Sequence, residues 1–159
     1  MARFIYKDDE WEKKFGVLPF HLNDKREVLV NPLWVQENII AIELPILVGH
    51  KFQVNKMVAK DLTRIFTQIE QQGLDKYINV LDTNLNGGSY CPRWNVANKT
   101  KLSRHSWGCP FDLNPTANAF GTVGNMNTGI IKIFNDNGWA WFGDVGAKDP
   151  MHFEICRVA

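Results

Sequence analysis

In VNKMVAKDLTRIFTQIEQQG, residues 54–73, the apolar residues Met57, Val58, Leu62, Ile65, Phe66 and Ile69 recur at helical intervals. That period lines one face of a helix. Asn55 is placed to cap its start and Gly73 to close its end. The pattern predicts a second, shorter amphipathic helix in GIIKIFNDNG, residues 129–138, stopped by Gly138. Three other apolar stretches read as strands. They are NIIAIELPILV (38–48), which turns at Pro45, KYINVLD (76–82), and the closing MHFEICRV (151–158).

Between these elements lie two stretches of turn chemistry. NLNGGSYCPRWNVANKTK (84–101) is a turn-rich loop, and PTANAFGTVGNMNTG (115–129) carries the Gly and Asn of a mobile loop. In residues 1–35, Trp11, Phe15, Phe20 and Trp34 are the expected anchors onto a body formed later in the chain. Helices and strands mix without a βαβ rhythm, which predicts an α+β fold with a small antiparallel sheet flanked by helices.

Composition narrows the classes. A chain of 159 residues suits one domain with one core. The net charge of +1 gives no field for nucleic acid. The longest apolar run is interrupted by Glu43 and Pro45, so no membrane insertion is expected. The start, MARFIYKDDEWEKK, lacks a secretory pattern, and the expectation is cytoplasmic synthesis. Three cysteines (Cys91, Cys109, Cys156) without a C-x-x-C pair argue against a disulfide scaffold. His21 and His50 have no partner pattern and no assigned role.

SRHSWGCPFD, residues 103–112, separates His105 from Asp112 by seven positions. One straight strand face cannot bring them together, but a turn at Gly108 and Pro110 can. In KDPMHFE, residues 148–154, Asp149 precedes His152 by three. That spacing lets one side chain bind a metal while the other reaches a water on it, the logic of H-E-x-x-H zinc sites, a motif this chain lacks. A rival pattern is present too. His105 with Cys109, and His152 with Cys156, would make a closed Cys₂His₂ zinc site without catalysis. A Cys109 nucleophile paired with His152 is a further alternative, but nothing in the sequence marks a lowered thiol pKa.

SRHSWGCPFD resembles the S-x-H-x-x-G-x-A-x-D signature of the D-alanyl-D-alanine carboxypeptidase family of zinc peptidases. WAWFGDVGAKDPMHFE (139–154) resembles the tail signature of that family's L-alanyl-D-glutamate endopeptidase branch, common among phage endolysins. The similarity extends from about Phe52 to Cys156 and takes in LTRIFTQIEQQGL and GGSYCPR. It implies a hedgehog/D-Ala-D-Ala-peptidase-like zinc fold. By resemblance, His105, Asp112 and His152 would bind Zn²⁺, and Asp149 would be the general base. Arg93 would polarise the scissile carbonyl, and Ser103 would contact substrate. Two departures are visible: Pro110 stands where the pattern has alanine, and WFGDV differs from the usual wall sequence.

The implied activity is zinc-dependent cleavage of peptidoglycan stem peptides, with the L-alanyl-D-glutamate bond first. The alternatives are a D-alanyl-D-alanine carboxypeptidase and a non-catalytic zinc module on the same fold. The expected state is a monomer that reaches the wall after phage-type release or delivery with a particle. Lys99, Lys101 and Arg104 crowd the motif loop, where they are placed to attract carboxylates of a stem peptide, although Lys99 and Lys101 also read as a solvated face. Trp107, Trp139 and Trp141 read as core or cleft wall. Glu154 should alternate in its strand and make either a structural contact or one to a metal ligand from behind.

Overall fold

The computed structural model describes residues 1–145 and 148–159. In chain order the elements are β1 (Arg3–Phe4), α1 (Asp8–Phe15), β2 (Phe20–Leu22), β3 (Val28–Val30), α2 (Pro32–Asn38), β4 (Ile39–Glu43), β5 (Lys51–Asn55), α3 (Ala59–Gln71), α4 (Val80–Asn86), β6 (Phe111–Asp112), α5 (Thr128–Asp136), β7 (Trp139–Trp141), β8 (His152–Ile155) and β9 (Arg157–Val158). Short 3₁₀ turns cover Asp75–Tyr77 and Arg104–Trp107. The described strands pair antiparallel, and the class is α+β, as the pattern predicts.

The sheet that positions the site has the order β6-β8-β7, with β8 in the middle. Its two faces follow the strand period of two. Phe111 stands opposite Phe153, and both are fully buried on the core face. Helix α5 covers that face, with Phe134 stacked on Phe153 at 3.9 Å between ring centroids. Phe66 of α3 reaches Phe111 edge-on at 5.4 Å. Each fully buried side chain of this size contributes about 2–3 kcal/mol. On the opposite face, Asp112 stands across from His152.

Helix α3 buries Leu62, Ile65, Phe66 and Ile69, the predicted stripe. It starts at Ala59, later than the pattern suggests. Asn55 shapes the turn before it, accepting from the Met57 N–H and donating to the Trp107 carbonyl. Gly73, at φ +67°, ends the helix as expected.

KYINVLD is not a strand. It splits into a 3₁₀ turn and α4, because the Asn79 side chain caps the Asp82 N–H and starts a helix. Ile78 is buried, whereas Leu81 and Leu85 are exposed, so the apolar run never formed a buried strand face. MHFEICRV is interrupted at Cys156: β8 stays in the central sheet and β9 pairs with β1. The 115–129 stretch is a loop, but Asn118 is fully buried and bonds to the Asn114 carbonyl and to Asn125.

Trp11 and Phe15 anchor α1 in the main core, and Trp11 meets Trp107 edge-on at 6.3 Å. The Trp107 indole donates to the Gly16 carbonyl. Trp34 packs partly buried against the core, but Phe20 is exposed and meets Trp94 edge-on at 6.1 Å. Among the described residues, no helix is long and apolar enough to cross a membrane.

Candidate metal centre

Asp112 is pinned by its backbone on both sides. One edge of β6 pairs with β8, and the other bonds to Gly88, with N–H···O contacts of 2.9 and 3.1 Å. The Gly-Gly turn permits that approach: a Cβ on Gly87 would collide with the Asp112 carbonyl. Gly108 supplies the turn between His105 and Asp112. It adopts φ +70° and lies so close to Ile39 and the Asn55 N–H that a side chain would not fit. Pro110 precedes β6 and leaves its pairing with β8 intact.

These constraints bring His105, Asp112 and His152 together, with one ligand atom from each within 4.8 Å of the others. His105 Nε2 lies 3.2 Å from Asp112 Oδ2 and 3.2 Å from His152 Nδ1. His152 Nδ1 lies 3.3 Å from Asp112 Oδ1. The remaining ring nitrogens are already engaged. His105 Nδ1 is 2.7 Å from the Ser89 carbonyl, which can only accept, so Nδ1 carries the hydrogen and Nε2 keeps its lone pair. His152 Nε2 is 3.1 Å from Glu154 Oε2, which fixes the other tautomer and frees Nδ1.

Acceptors thus face one another across a small gap, an arrangement that needs a positive charge between them. Asp112 Oδ1 is buried without a hydrogen-bond partner. Without a cation, a proton fills the role. Burial alone lowers the proton affinity of His152, but hydrogen bonds to Asp112 and Glu154 outweigh it and push its pKa up to about 10. Burial alone raises the Asp112 carboxyl, yet the two imidazoles that face it, His105 foremost, hold it far below the usual carboxylate range. Two imidazole nitrogens and one carboxylate, with an orphaned oxygen among them, fit a divalent cation of the zinc type.

Asp149 stands beside this group, with Oδ2 4.0 Å from His152 Nδ1, too far for a direct hydrogen bond. Its Oδ1 is buried and unpartnered. Burial raises its pKa, against the pull of His152, and the charge on Asp112 adds to the rise. His105, Asp112, Asp149 and His152 form the floor of a cleft of about 350 Å³ whose walls include Arg93 and Ser103. Ser103 also acts locally, because its hydroxyl caps the 3₁₀ turn by accepting from the His105 N–H at 3.3 Å.

The cysteines stay outside. Among the described residues, the group able to hold a metal contains no sulfur. Cys109 is fully buried and its thiol lies 3.7 Å from the Trp107 carbonyl, while that of Cys156 lies 3.4 Å from the Gly138 carbonyl. Burial pushes the Cys109 thiol well above its usual range, the wrong direction for a nucleophile.

Arg104 departs from its expected place on a substrate-facing loop. It turns inward and pairs with Glu154. The N-terminal residues Ile5 and Asp8 also line the cleft, and no sequence pattern marks them for it. The Gly146–Ala147 portion of the tail motif lies outside the described residues.

The α+β fold thus sets a His–Asp–His group, a donor set that could hold a metal ion, in the lining of a cleft. Residues 97–155 match the sequence model of a family described as D-alanyl-D-alanine carboxypeptidase. The resemblance read from the two motifs holds over that span and supports a peptidase. The LTRIFTQIEQQGL stretch (62–74) and the GGSYCPR turn, with Arg93, lie outside the matched residues. No curated protein and no solved structure matches the chain.

Proposed function

We propose that this protein is a zinc peptidase that cuts the peptide stem of bacterial peptidoglycan at the L-alanyl-D-glutamate bond. The observation that carries the proposal is Asp149, a half-buried carboxylate whose buried Oδ1 has no partner, beside an open His–Asp–His group. His105, Asp112 and His152 would hold the ion through Nε2, a carboxylate oxygen and Nδ1. When bound, zinc supplies a Lewis acid that acidifies water and polarises a carbonyl.

Asp149 accepts a proton from the attacking water as its oxygen adds to the scissile carbonyl carbon. The same carboxyl returns the proton to the amide nitrogen as the C–N bond breaks. Its raised pKa makes it a stronger base than an exposed aspartate and so favours the first transfer. Arg93, on the cleft wall, donates to the carbonyl oxygen, where charge grows only in the transition state. Asp112 is spared base work because its carboxylate would be committed to the ion.

Charge in the cleft supports an endopeptidase over a carboxypeptidase. A carboxypeptidase needs a cation for the terminal carboxylate. Among the described cleft residues, Lys101 is paired with Asp8 at 2.7 Å and Arg104 with Glu154. Arg93 is then left for the carbonyl. On this reading the enzyme acts as a monomer on the wall, after release from the cytoplasm or delivery with a particle, as an endolysin does.

Digestion of defined muropeptides, read by mass spectrometry with and without a chelator, tests the proposal. The expected products are a free N-terminal D-glutamate peptide and the glycan-linked L-alanine. Release of terminal D-alanine instead would assign the carboxypeptidase reading. No metal-dependent cleavage of any stem bond would leave the non-catalytic module.

A further inference from the structure

Behind His152 lies a chain of contacts that the proposed reaction does not use. Glu154 is 1% exposed, and its two oxygens are divided: Oε2 faces His152 Nε2 at 3.1 Å, and Oε1 accepts from Arg104 Nη1. The same guanidinium donates through Nη2 to the Tyr6 carbonyl, reaches Asp8 Oδ1 at 3.4 Å, and lies 4.5 Å over the Trp11 ring. Arg104 therefore touches the N-terminal segment with one edge and the carboxylate behind a metal ligand with the other.

A buried carboxylate with no cation beside it would be costly, and it would swing or take up a proton. Arg104 removes that cost and fixes the Glu154 rotamer. Glu154, so fixed, selects the His152 tautomer that offers Nδ1. Arg104 is itself braced by the Tyr6–Trp11 segment, which is remote in sequence from both signature motifs. The planar guanidinium suits this role because it serves a carboxylate, a carbonyl and an aromatic face together.

We propose that Arg104 is a positioning residue: braced by the Tyr6–Trp11 segment, it holds Glu154 so that His152 presents Nδ1 to the metal. The proposal rests on the zinc peptidase reading and adds residues 6–11 to the machinery of the site. A structural ion pair alone would stabilise the fold without setting the grip on the metal.

Zinc dissociation constants and cobalt(II) visible spectra separate these cases in Arg104→Ala, Arg104→Lys, Glu154→Gln and the double variant Arg104→Ala/Glu154→Gln. Loss of either partner should weaken zinc about 10-fold or more and alter the cobalt bands. The double variant should lose no more than the worse single variant, since both act through His152. Arg104→Lys should restore part of the loss and guards against misfolding of the alanine variant. Folded variants with unchanged zinc affinity and cobalt spectra would overturn the proposal and leave the peptidase reading standing. Losses that multiply in the double variant would also overturn it. A wild-type chain that takes up no zinc would overturn both.

Discussion

Among the described residues, two depressions of similar size have opposite character. One, about 390 Å³, lies between α4 and the Asn-rich loop and is lined by Asp82, Asn114, Thr116 and Asn125. The other, about 350 Å³, has the His–Asp–His group at its floor. In the first, every oxygen of Asp82 is occupied: Oδ1 accepts from the Thr116 hydroxyl and Asn86, and Oδ2 accepts from the Thr116 N–H. Asn114 likewise accepts from the Asn79 N–H and donates to the Tyr77 carbonyl. In the second, Asp112 and Asp149 each keep a buried oxygen with no partner. Volume does not distinguish the sites; unsatisfied polar atoms do. A closed network stabilises the fold, whereas open valence is held for something that arrives later.

The sharpest break in this comparison lies within the open site. His105→Ala should abolish zinc binding and cleavage together and lower the melting temperature of the zinc-loaded protein, because the ion ties distant segments. Asp149→Asn should keep zinc and lower kcat by about 10³-fold, in the range for a lost general base. Metal analysis beside stem-peptide kinetics reads both. An Asp149→Asn enzyme of normal rate would remove the base assignment.

The closed site should answer in the opposite way. Asp82→Ala leaves the Thr116 N–H and hydroxyl and the Asn86 amide without their acceptor, and should cost about 2 kcal/mol in denaturant unfolding. Zinc affinity and kcat should stay at wild-type values. A matching fall in zinc affinity would mean the two depressions are coupled and the distinction is wrong.

The open site was more legible in the sequence than the closed one. His105, Asp112, Asp149 and His152 belong to short motifs whose spacing carries chemistry, and the turn residue Gly108 could be read from the same stretch. Glu154 was legible as well, since a strand period of two puts it on the His152 side. The closed site carries no such signal. KYINVLD has β-type composition, and only the Asn79 cap turned its second half into a helix. Such a cap competes with strand propensity over a short run, and composition does not say which prevails. Arg104 was hidden for a different reason. Its partners Tyr6, Trp11 and Glu154 come from both ends of the chain, and no local pattern announces a side chain turned inward to meet them.

The most gradual effect should appear as a slope with pH. In the metal-free protein, His152 has its pKa raised from 6.5 to about 10, so its contribution to stability is complete below about pH 6.5 and is lost as pH rises through about 10. Asp112 is shifted the other way, so its contribution is present above 3.8 and is lost as acid reaches its lower folded value. The proton on His152 therefore supports the metal-free site across the neutral range, and zinc must displace it from Nδ1. Each unit of rising pH between about 6 and 8 should tighten zinc about tenfold while that one proton is released. The melting-temperature gain from a fixed free zinc concentration should grow accordingly from about pH 6 to about pH 8. Asp82, which holds no displaceable proton at these pH values because its folded pKa lies below 3.8, gives the contrasting flat baseline. A zinc-induced gain equally flat would mean that the ion does not compete for His152 Nδ1.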